Sequence, residues 1–393
     1  MTRMLRPLGL ALLAASIAGP CLAQSLVGSV EGIVRDEQGG VLPGVTVTLS
    51  GRMGSRTAVT DSTGTFRFLA IEPGPYDLTS ALSGFATVRK GPFSVSMGRT
   101  ATVDFGLTVE SRRETVNVVG EAPLVDTKSA AQTNALGQDQ LFSLPIRPSN
   151  AATDLMNYAP GVNNGSAFGG SADASNALLL DGVDTRDPEN GTAWAFYDYN
   201  MIEEVQVQGL GAPAEYGSFS GAVVNTVTKS GGNRHSALVD LRYAGESFSA
   251  NNISDKFATA NPALAAPAKT NHLLDYTAQL GGPIVPDKLF FFVSAERYNL
   301  REDPSGPRTV LEQWSPRFNA KLTWQPSSSN TLMFTFQHDS YSIKGRAGVP
   351  NLLATEALTS RESSPETIWG AHFRHVFGPK TFVEVKWTGY GAY

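Results

Sequence analysis

Apolar and polar residues alternate strictly in several stretches of residues 233–393. The apolar positions of the three clearest stretches are Leu274, Tyr276, Ala278 and Leu280; Phe318, Ala320, Leu322 and Trp324; and Val383, Val385 and Trp387. Polar residues stand between them: Asp275, Thr277 and Gln279; Arg317, Asn319, Lys321, Thr323 and Gln325; and Glu384, Lys386 and Thr388. Successive side chains of a strand point to opposite faces. This pattern is typical of transmembrane barrel strands, with apolar faces toward lipid and polar faces toward the lumen.

The N-terminus has the features of a secretory signal. Arg3 and Arg6 precede an apolar stretch over residues 8–18 that is too short to span a bilayer, and Ala23 closes a small-residue exit. We therefore expect a cleaved signal peptide at residues 1–23; a core helix is the alternative. The one cysteine, Cys21, lies within it, so the exported chain would form no internal disulfide. Lipid attachment at Cys21 is a rival interpretation, which Pro20 disfavours.

Composition favours short strands and excludes a nucleic-acid partner. The chain has 31 lysines and arginines against 36 acidic residues, a net charge of −5, so no basic surface for nucleic acid is expected. Its 39 glycines and 23 prolines are typical of strands joined by tight turns.

Residues 26–108 alternate like the strands of a small two-sheet sandwich. Inward positions are expected at Val30, Gly32 and Val34; Val45, Val47 and Leu49; Phe66 and Phe68; and Val103, Phe105 and Leu107. The stretches at 40–45, 60–66, 73–76 and 83–85 resemble the carboxypeptidase regulatory-like domain. That resemblance implies a transthyretin-like, carbohydrate-binding-like sandwich over residues 24–110 and no peptidase activity. The five histidines (His235, His272, His338, His372 and His375) all follow it, so it holds no zinc site.

A linker over residues 111–131 follows the sandwich. Its hexapeptide Glu114, Thr115, Val116, Asn117, Val118 and Val119 resembles a TonB box, which adds one extended strand to a periplasmic TonB domain. The six residues fit a last strand of the sandwich equally well. Their position between the sandwich and the next domain favours the box.

Residues 132–232 combine short helices, expected at 138–144 and 151–158, with strands. The stretches at 178–183, 202–207, 214–217 and 223–231 resemble the plug domain of TonB-dependent receptors. The residues carrying this resemblance are Asp181, Gly182, Glu204, Glu215, Tyr216, Gly217, Thr228, Lys229, Ser230 and Gly231. The run at 281–292 resembles the first periplasmic turn and aromatic strand of the same family, although alternation alone also fits a buried soluble strand.

Together these patterns predict a mainly β chain: an N-terminal immunoglobulin-like or transthyretin-like sandwich, a mixed α+β plug, and about seven strands, each of about ten residues, of an antiparallel transmembrane barrel at 233–393. A barrel that holds a plug needs about 22 strands, so we expect the sequence to be truncated early in the barrel. An open sheet in lipid would leave backbone groups unpaired, so this chain alone should not transport.

The sequence contains no complete motif for catalysis or cofactor binding. Phe219 stands where a nucleophile elbow needs serine, and Gly209-Leu210-Gly211 lacks the third glycine of a dinucleotide fingerprint. Asp181, Asp184 and Asp187 do not have the spacing of a calcium loop. His372 and His375 point to opposite faces of a strand. We predict no catalytic, cofactor or metal residues and no enzyme.

The resemblance implies a receptor of a Gram-negative-type outer membrane that imports a bulky glycan, peptide or chelate by energised displacement of the plug. Its expected partners are the periplasmic TonB domain, outer-membrane lipid and an extracellular substrate, which would be a carbohydrate or a peptide. One alternative is a barrel-anchored carbohydrate-binding or adhesion protein without active transport. A secreted hydrolase is a further alternative, and it lacks a catalytic constellation.

Overall fold

The computed structural model describes residues 26–109, 116–118, 133–144, 151–163, 165–170, 173–192, 194–212, 217, 219–248, 250, 253–262, 269–303, 310–347, 357 and 359–392. The predicted signal peptide with Cys21 lies outside these residues. So do Glu114, Thr115, Val119, Glu215 and Tyr216. Strands dominate the described chain, which confirms the predicted mainly β fold.

The N-terminal strands form two facing sheets. The strands are β1 (Gly28–Asp36), β2 (Thr46–Gly51), β3 (Gly54–Val59), β4 (Thr65–Ile71), β5 (Gly74–Ala81), β6 (Val88–Val95), β7 (Thr100–Thr102), β8 (Phe105–Leu107) and β9 (Val116–Val118). One sheet has the order β3-β2-β5-β6-β9, and in the other β1 pairs with β4, β7 and β8. Hereafter these two sheets are called the sandwich.

The sandwich core forms because the alternating apolar residues of both sheets point inward. Val30, Val47 and Phe66 are completely or almost completely buried within one hydrophobic cluster. Phe66 packs its ring against Phe68 and Phe105 at centroid distances of 6.1 and 6.0 Å. Gly32 is required for close packing, since a Cβ there would lie 1.9 Å from the Val103 carbonyl oxygen.

A second unit, hereafter the plug, combines short helices with a five-stranded sheet. Its elements are β10 (Thr133–Gly137), α1 (Gln138–Ser143), α2 (Ala151–Met156), β11 (Val162–Asn163), β12 (Ser166–Ala167), β13 (Ala177–Leu180), β14 (Val183–Asp184), β15 (Ile202–Gln208) and β16 (Val223–Thr228), with 3-10 turns at Asp173–Ser175 and Tyr199–Met201. The sheet order is β10-β15-β16-β13-β14. Both predicted helices are present, and each ends one or two residues earlier than expected.

The remaining strands form one antiparallel sheet in sequential order, hereafter the strand wall. They are β17 (Ser236–Gly245), β18 (Lys269–Val285), β19 (Leu289–Asp303), β20 (Leu311–Ser327), β21 (Asn330–Ala347), β22 (Thr359–Gly378) and β23 (Thr381–Ala392), with a 3-10 turn at Glu246–Phe248 and helix α3 (Asp255–Ala260) between the first two. In the described residues there are thus seven strands, the number that the sequence predicted.

The two faces of the strand wall have opposite polarity. On β20, Phe318 and Trp324 remain 44% and 45% exposed, whereas Arg317 and Lys321 are 4% and 3% exposed. The buried polar face packs against the plug, and the apolar face points away from it. This is the reverse of a soluble sheet, and it is the arrangement of a barrel wall, with lipid outside and a polar interior.

Six of the seven wall strands are longer than the expected ten residues: β22 has 20 and β21 has 18, whereas β17 has 10. At about 3.3 Å per residue, such strands exceed the roughly 30 Å hydrocarbon thickness even when tilted. The predicted length was wrong because lipid thickness limits only the apolar band, while hydrogen-bonded pairing continues beyond it. Connections are short at one end of the wall, as at 286–288, and long at the other, as at 348–358.

None of the helices in the described parts of the chain has the length and apolar character needed to cross a membrane.

Candidate functional site at the plug–wall interface

A two-residue turn of the plug contains Asp181 and Gly182, two of the residues that carry the sequence resemblance to a plug domain. Asp181 and Gly182 join β13 to β14 with positive φ angles of 46° and 77°, the backbone of a type I′ turn, which favours the Asp-Gly pair. The Asp181 carboxylate accepts hydrogen bonds from Thr228 N at 3.0 Å and Thr228 Oγ1 at 2.6 Å. The turn is thereby fastened to the end of β16.

Lys321 of β20 completes this contact from the strand wall. Its Nζ lies 3.1 Å from Asp181 Oδ1 and donates to the Thr228 carbonyl oxygen at 2.8 Å. Both charged side chains are almost fully buried, at 1% and 4% exposure. Removing one partner of such a pair leaves an uncompensated buried charge, so the pair fixes where the plug sits on the wall.

Asp198 forms the second plug–wall contact. Its carboxylate accepts hydrogen bonds from Asn200 N at 2.8 Å, Gln279 Nε2 at 2.9 Å and Ser294 Oγ at 2.6 Å, and more weakly from Thr277 Oγ1 at 3.3 Å. Three of these four donors belong to β18 and β19. A buried carboxylate needs such donors to offset its desolvation. The wall side chains therefore replace the hydrogen bonds that water would make to Asp198.

The third contact lies toward the end of the wall that has the long connections. Phe196 N donates to Asp339 Oδ2 at 2.7 Å, and Trp194 Nε1 donates to Ser364 Oγ at 2.9 Å. The Phe196 ring stacks on Tyr341 with centroids 4.5 Å apart and planes inclined by 9°. The plug is therefore attached to β18–β22 by ionic, hydrogen-bonding and aromatic contacts.

The sandwich contacts the face of the plug sheet formed by β15 and β16. Met97, in the turn between β6 and β7, is completely buried; its N–H donates to Glu204 Oε1 at 3.2 Å. Its carbonyl oxygen accepts a hydrogen bond from Gln206 Nε2 at 2.9 Å. Beside it, Arg52 pairs with Glu203 at 3.0 Å. The turn thus caps the plug sheet with both polar and apolar groups.

Burial under this turn changes the acidity of Glu204. Removal from water raises the pKa of its carboxyl to about 7, an effect that the Met97 N–H hydrogen bond opposes. Burial lowers the pKa of the Lys229 ammonium group, because removal from water also disfavours the charged form of a cation. This ammonium group lies 5.2 Å from the centre of the Phe142 ring.

Comparisons with known proteins agree with this architecture. The family model of the carboxypeptidase regulatory-like domain matches residues 29–108. Over 258 residues the chain is 28% identical to the TonB-dependent transporter Oar of Myxococcus xanthus, covering 63% of this chain and 24% of that protein. The chain is a homologue of the TonB-dependent transporters. It spans about a quarter of the length of this relative.

Solved structures similar to this transporter homologue include the outer membrane transporter YddB from Escherichia coli, with a TM-score of 0.46 and 14% identity, covering 65% of this chain and 38% of that one. The siderophore receptor PirA from Pseudomonas aeruginosa has a TM-score of 0.39 and 14% identity, covering 63% and 46%. A ferric enterobactin receptor of Pseudomonas aeruginosa has a TM-score of 0.43 and 15% identity, covering 66% and 45%.

In the transporter homologue, the plug residues predicted from sequence fall into separate places. Asp181, Gly182 and Thr228 meet at the wall, whereas Glu204 faces the sandwich. Gly231 permits a close approach, since a Cβ there would lie 2.2 Å from the Phe291 carbonyl oxygen of β19. Ser230 is buried beside it, and a Cβ at Gly217 would meet nothing within 4 Å.

The described part of the candidate TonB box forms β9. Val116–Val118 pairs in parallel with Val88–Lys90 of β6, at the edge of the five-stranded sandwich sheet. This pairing matches the alternative interpretation, a last strand of the sandwich. It also occupies one backbone edge of the segment that strand addition to a partner would use. The box assignment stays a prediction.

Sequence reasoning missed several groups at these contacts. Lys321 was placed on the polar face of its strand, but nothing in its neighbourhood indicates Asp181 as the partner. Asp198 and Met97 carry no local signal, because their partners come from distant strands. The Asp-Gly pair was the one usable signal, since it indicates a turn. Within the described residues, no three His, Cys, Asp or Glu side chains are grouped so that they could hold a metal ion.

Proposed function

We propose that this chain is part of an outer-membrane transporter that imports a bulky substrate when a periplasmic TonB domain displaces the plug. The observation that carries this proposal is the strand wall, whose buried polar face holds the plug and whose apolar face points outward. A sheet of this polarity suits a lipid-embedded wall around a gated lumen. Homology to TonB-dependent transporters supports the same function.

Displacement of the plug needs energy because its contacts with the wall are buried. Separating Asp181 from Lys321, or Asp198 from its wall donors, exposes charged or polar groups that now satisfy one another. Breaking one buried ion pair costs on the order of 3–5 kcal/mol when a partner is left unpaired. Spontaneous opening is therefore rare, and the external energy source supplies the difference.

The chain order provides a route for force. Residues 110–132 connect the sandwich to β10, which begins at Thr133 and, in the described residues, pairs with β15 alone at the edge of the plug sheet. Once Val116–Val118 has separated from β6, tension on residues 114–119 reaches this edge strand before the rest of the plug. Peeling β10 away breaks five residue pairs before the plug core is disturbed.

The substrate class is a glycan, a peptide or a chelate. Trp194 and Phe196 lie on the plug toward the end of the wall with long connections, which in this orientation face the exterior. Together with Tyr341 these rings form a half-buried aromatic cluster, whose remaining exposed surface suits a sugar or an aromatic side chain.

Binding to TonB tests the proposal. The chain, refolded in detergent micelles, is titrated with the periplasmic domain of TonB, and Val116→Pro is compared with Thr127→Pro in the same linker. Proline removes a backbone donor, so Val116→Pro should abolish strand addition while Thr127→Pro binds like wild type. No binding by the folded wild type, or equal binding by both variants, would refute it.

A second candidate is a barrel-anchored carbohydrate-binding or adhesion protein. The pairing of Val116–Val118 with β6 favours it, because a segment used as a sandwich strand has no need to engage TonB. This function predicts glycan binding by the chain that is insensitive to TonB, together with wild-type behaviour of a strain carrying Val116→Pro in the intact receptor.

A further inference from the structure

Two open sheet edges of the sandwich lie side by side. Strand β3 ends the five-stranded sheet, and β4 ends the other; in the described residues each pairs with one neighbour. An edge strand offers backbone N–H and C=O groups that an added strand can satisfy. Val59, at the end of β3, remains 63% exposed although it is apolar.

The strand wall turns this edge into a groove. Cavities of about 260 and 510 Å³ follow β3 between the sandwich and the short connections of the wall, and Ser55, Arg56 and Ser328 line both of them. The larger cavity is closed on its far side by Phe377 and Lys380 of the β22–β23 turn. The volume of the larger cavity is typical of ligand sites. We call this feature the β3 groove.

Arg56, where the two cavities meet, lacks a carboxylate partner among the described residues. Its Nη1 donates to the Leu69 carbonyl oxygen at 2.9 Å. Burial, and then the nearby Arg374, lowers the pKa of its guanidinium group. An anion beside Arg56 would stabilise its charged form, and the described residues do not provide one.

The other charges of the groove strengthen this preference. Lys288 and Lys380 also form no ion pair among the described residues. Three carboxylates also line the groove: Glu72 pairs with Arg374 at 3.0 Å, Asp287 accepts a hydrogen bond from Asn233, and Asp61 accepts hydrogen bonds from Thr63 and Thr65 and interacts with Lys380. Apart from Arg67, which pairs with Glu31, four cations line the groove against these three carboxylates, so a small excess of positive charge lies along an open strand edge.

We propose that the β3 groove binds an extended acidic peptide segment of another periplasmic protein, which adds a strand to β3 and pairs a carboxylate with Arg56. The groove lies beside the short wall connections; its periplasmic location rests on the proposed function, whereas peptide binding itself does not. The six residues of β3 match a bound stretch of about 20 Å.

The candidate TonB box is not the occupant. Its described residues pair with β6, at the opposite end of the same sheet from β3. Four strand spacings separate the two edges, about 19 Å. The β3 groove thus stays available while β9 is in place.

A fluorescent hexapeptide, Thr-Val-Glu-Val-Thr-Val, tests the proposal by polarisation with the full chain in detergent micelles and no TonB present. Saturable binding below about 1 mM is expected. Arg56→Gln should weaken it at least tenfold, and Arg56→Lys less. Arg89→Gln is the matched control, because Arg89 pairs with Asp77 on another strand. Near-ultraviolet circular dichroism verifies that each variant is folded.

Two altered peptides separate the contributions of charge and backbone. Replacing glutamate by glutamine should weaken binding to the extent that Arg56→Gln does, and methylation of alternate amides should abolish it. Absence of saturation by the wild type, or binding that ignores both Arg56→Gln and amide methylation, would overturn the proposal. Because TonB is absent, these results are independent of the transport proposal.

Discussion

Phe66 of the sandwich and Phe318 of the strand wall occupy strands with the same alternating pattern but face opposite environments. Phe66 is 1% exposed inside the sandwich core, whereas Phe318 points away from the plug. Their neighbours are reversed as well: Arg67 lies on the outer face of its strand, while Arg317 is buried against the plug.

This difference teaches that period-two alternation fixes the two faces of a strand but not which face is inside. In the sandwich, water selects the polar face and the apolar side chains form the core. In the strand wall, the plug supplies polar partners such as Asp181, so the polar face is buried. Lipid is then the environment in which the outward apolar face is stable.

Truncation of one phenylalanine in each region should give the largest contrast. Phe66→Ala removes a packed ring from a closed core and should lower the free energy of unfolding by about 4 kcal/mol. Phe318→Ala leaves no enclosed cavity, so its effect should stay below about 1 kcal/mol in detergent. Chemical denaturation of both variants measures this; equal losses would contradict the assigned faces.

Removal of Lys321 should separate the buried polar face from an exposed one. Lys321→Met leaves Asp181 without its cation and should destabilise the plug–wall contact by about 3 kcal/mol. Lys344→Met, at an exposed position of β21, should change stability by less than about 0.5 kcal/mol. Chemical denaturation of both variants measures these losses, and similar effects of both substitutions would exclude an anchoring role.

The sandwich–plug contact should depend on pH through Glu204. Burial raises its pKa to about 7 from 4.5, so the contact is fully stable below about pH 4.5 and weakens as pH rises through 7. The loss corresponds to about 3 kcal/mol. Glu204→Gln should remove this pH dependence, whereas Glu203→Gln, which removes only a minor cause of the raised pKa, should retain most of it. Unfolding free energies between pH 4 and 8 test this, and an unchanged slope in Glu204→Gln would disprove it.

A single lysine on the apolar face should give the smallest of these effects. Leu322→Lys, next to Lys321 on β20, should cost about 2 kcal/mol in a bilayer because the charge faces lipid. Thr48→Lys, on the outer face of the sandwich, should be within about 0.5 kcal/mol of wild type. The free energy of unfolding in lipid vesicles is the appropriate measurement. An unchanged value for Leu322→Lys would argue against contact with lipid.

The sequence allowed the two β regions to be predicted because their strands have a strong period of two. It did not predict the length of the wall strands, because hydrogen-bonded pairing continues beyond the apolar band. It also did not predict the partners of Asp198 and Met97, because these contacts join strands about a hundred residues apart. The segment 116–118 remained ambiguous for a physical reason: alternating Thr and Val fit either an edge strand of the sandwich or a strand added to a partner.

The most direct test of the assigned wall orientation is a spin-label scan of residues 317–324 in the intact receptor reconstituted in lipid bilayers. Collision with oxygen, which partitions into lipid, should peak at positions 318, 320, 322 and 324 and fall at the positions between them. Peaks at 317, 319, 321 and 323, or no period of two, would contradict a wall whose apolar face meets lipid and whose polar face holds the plug.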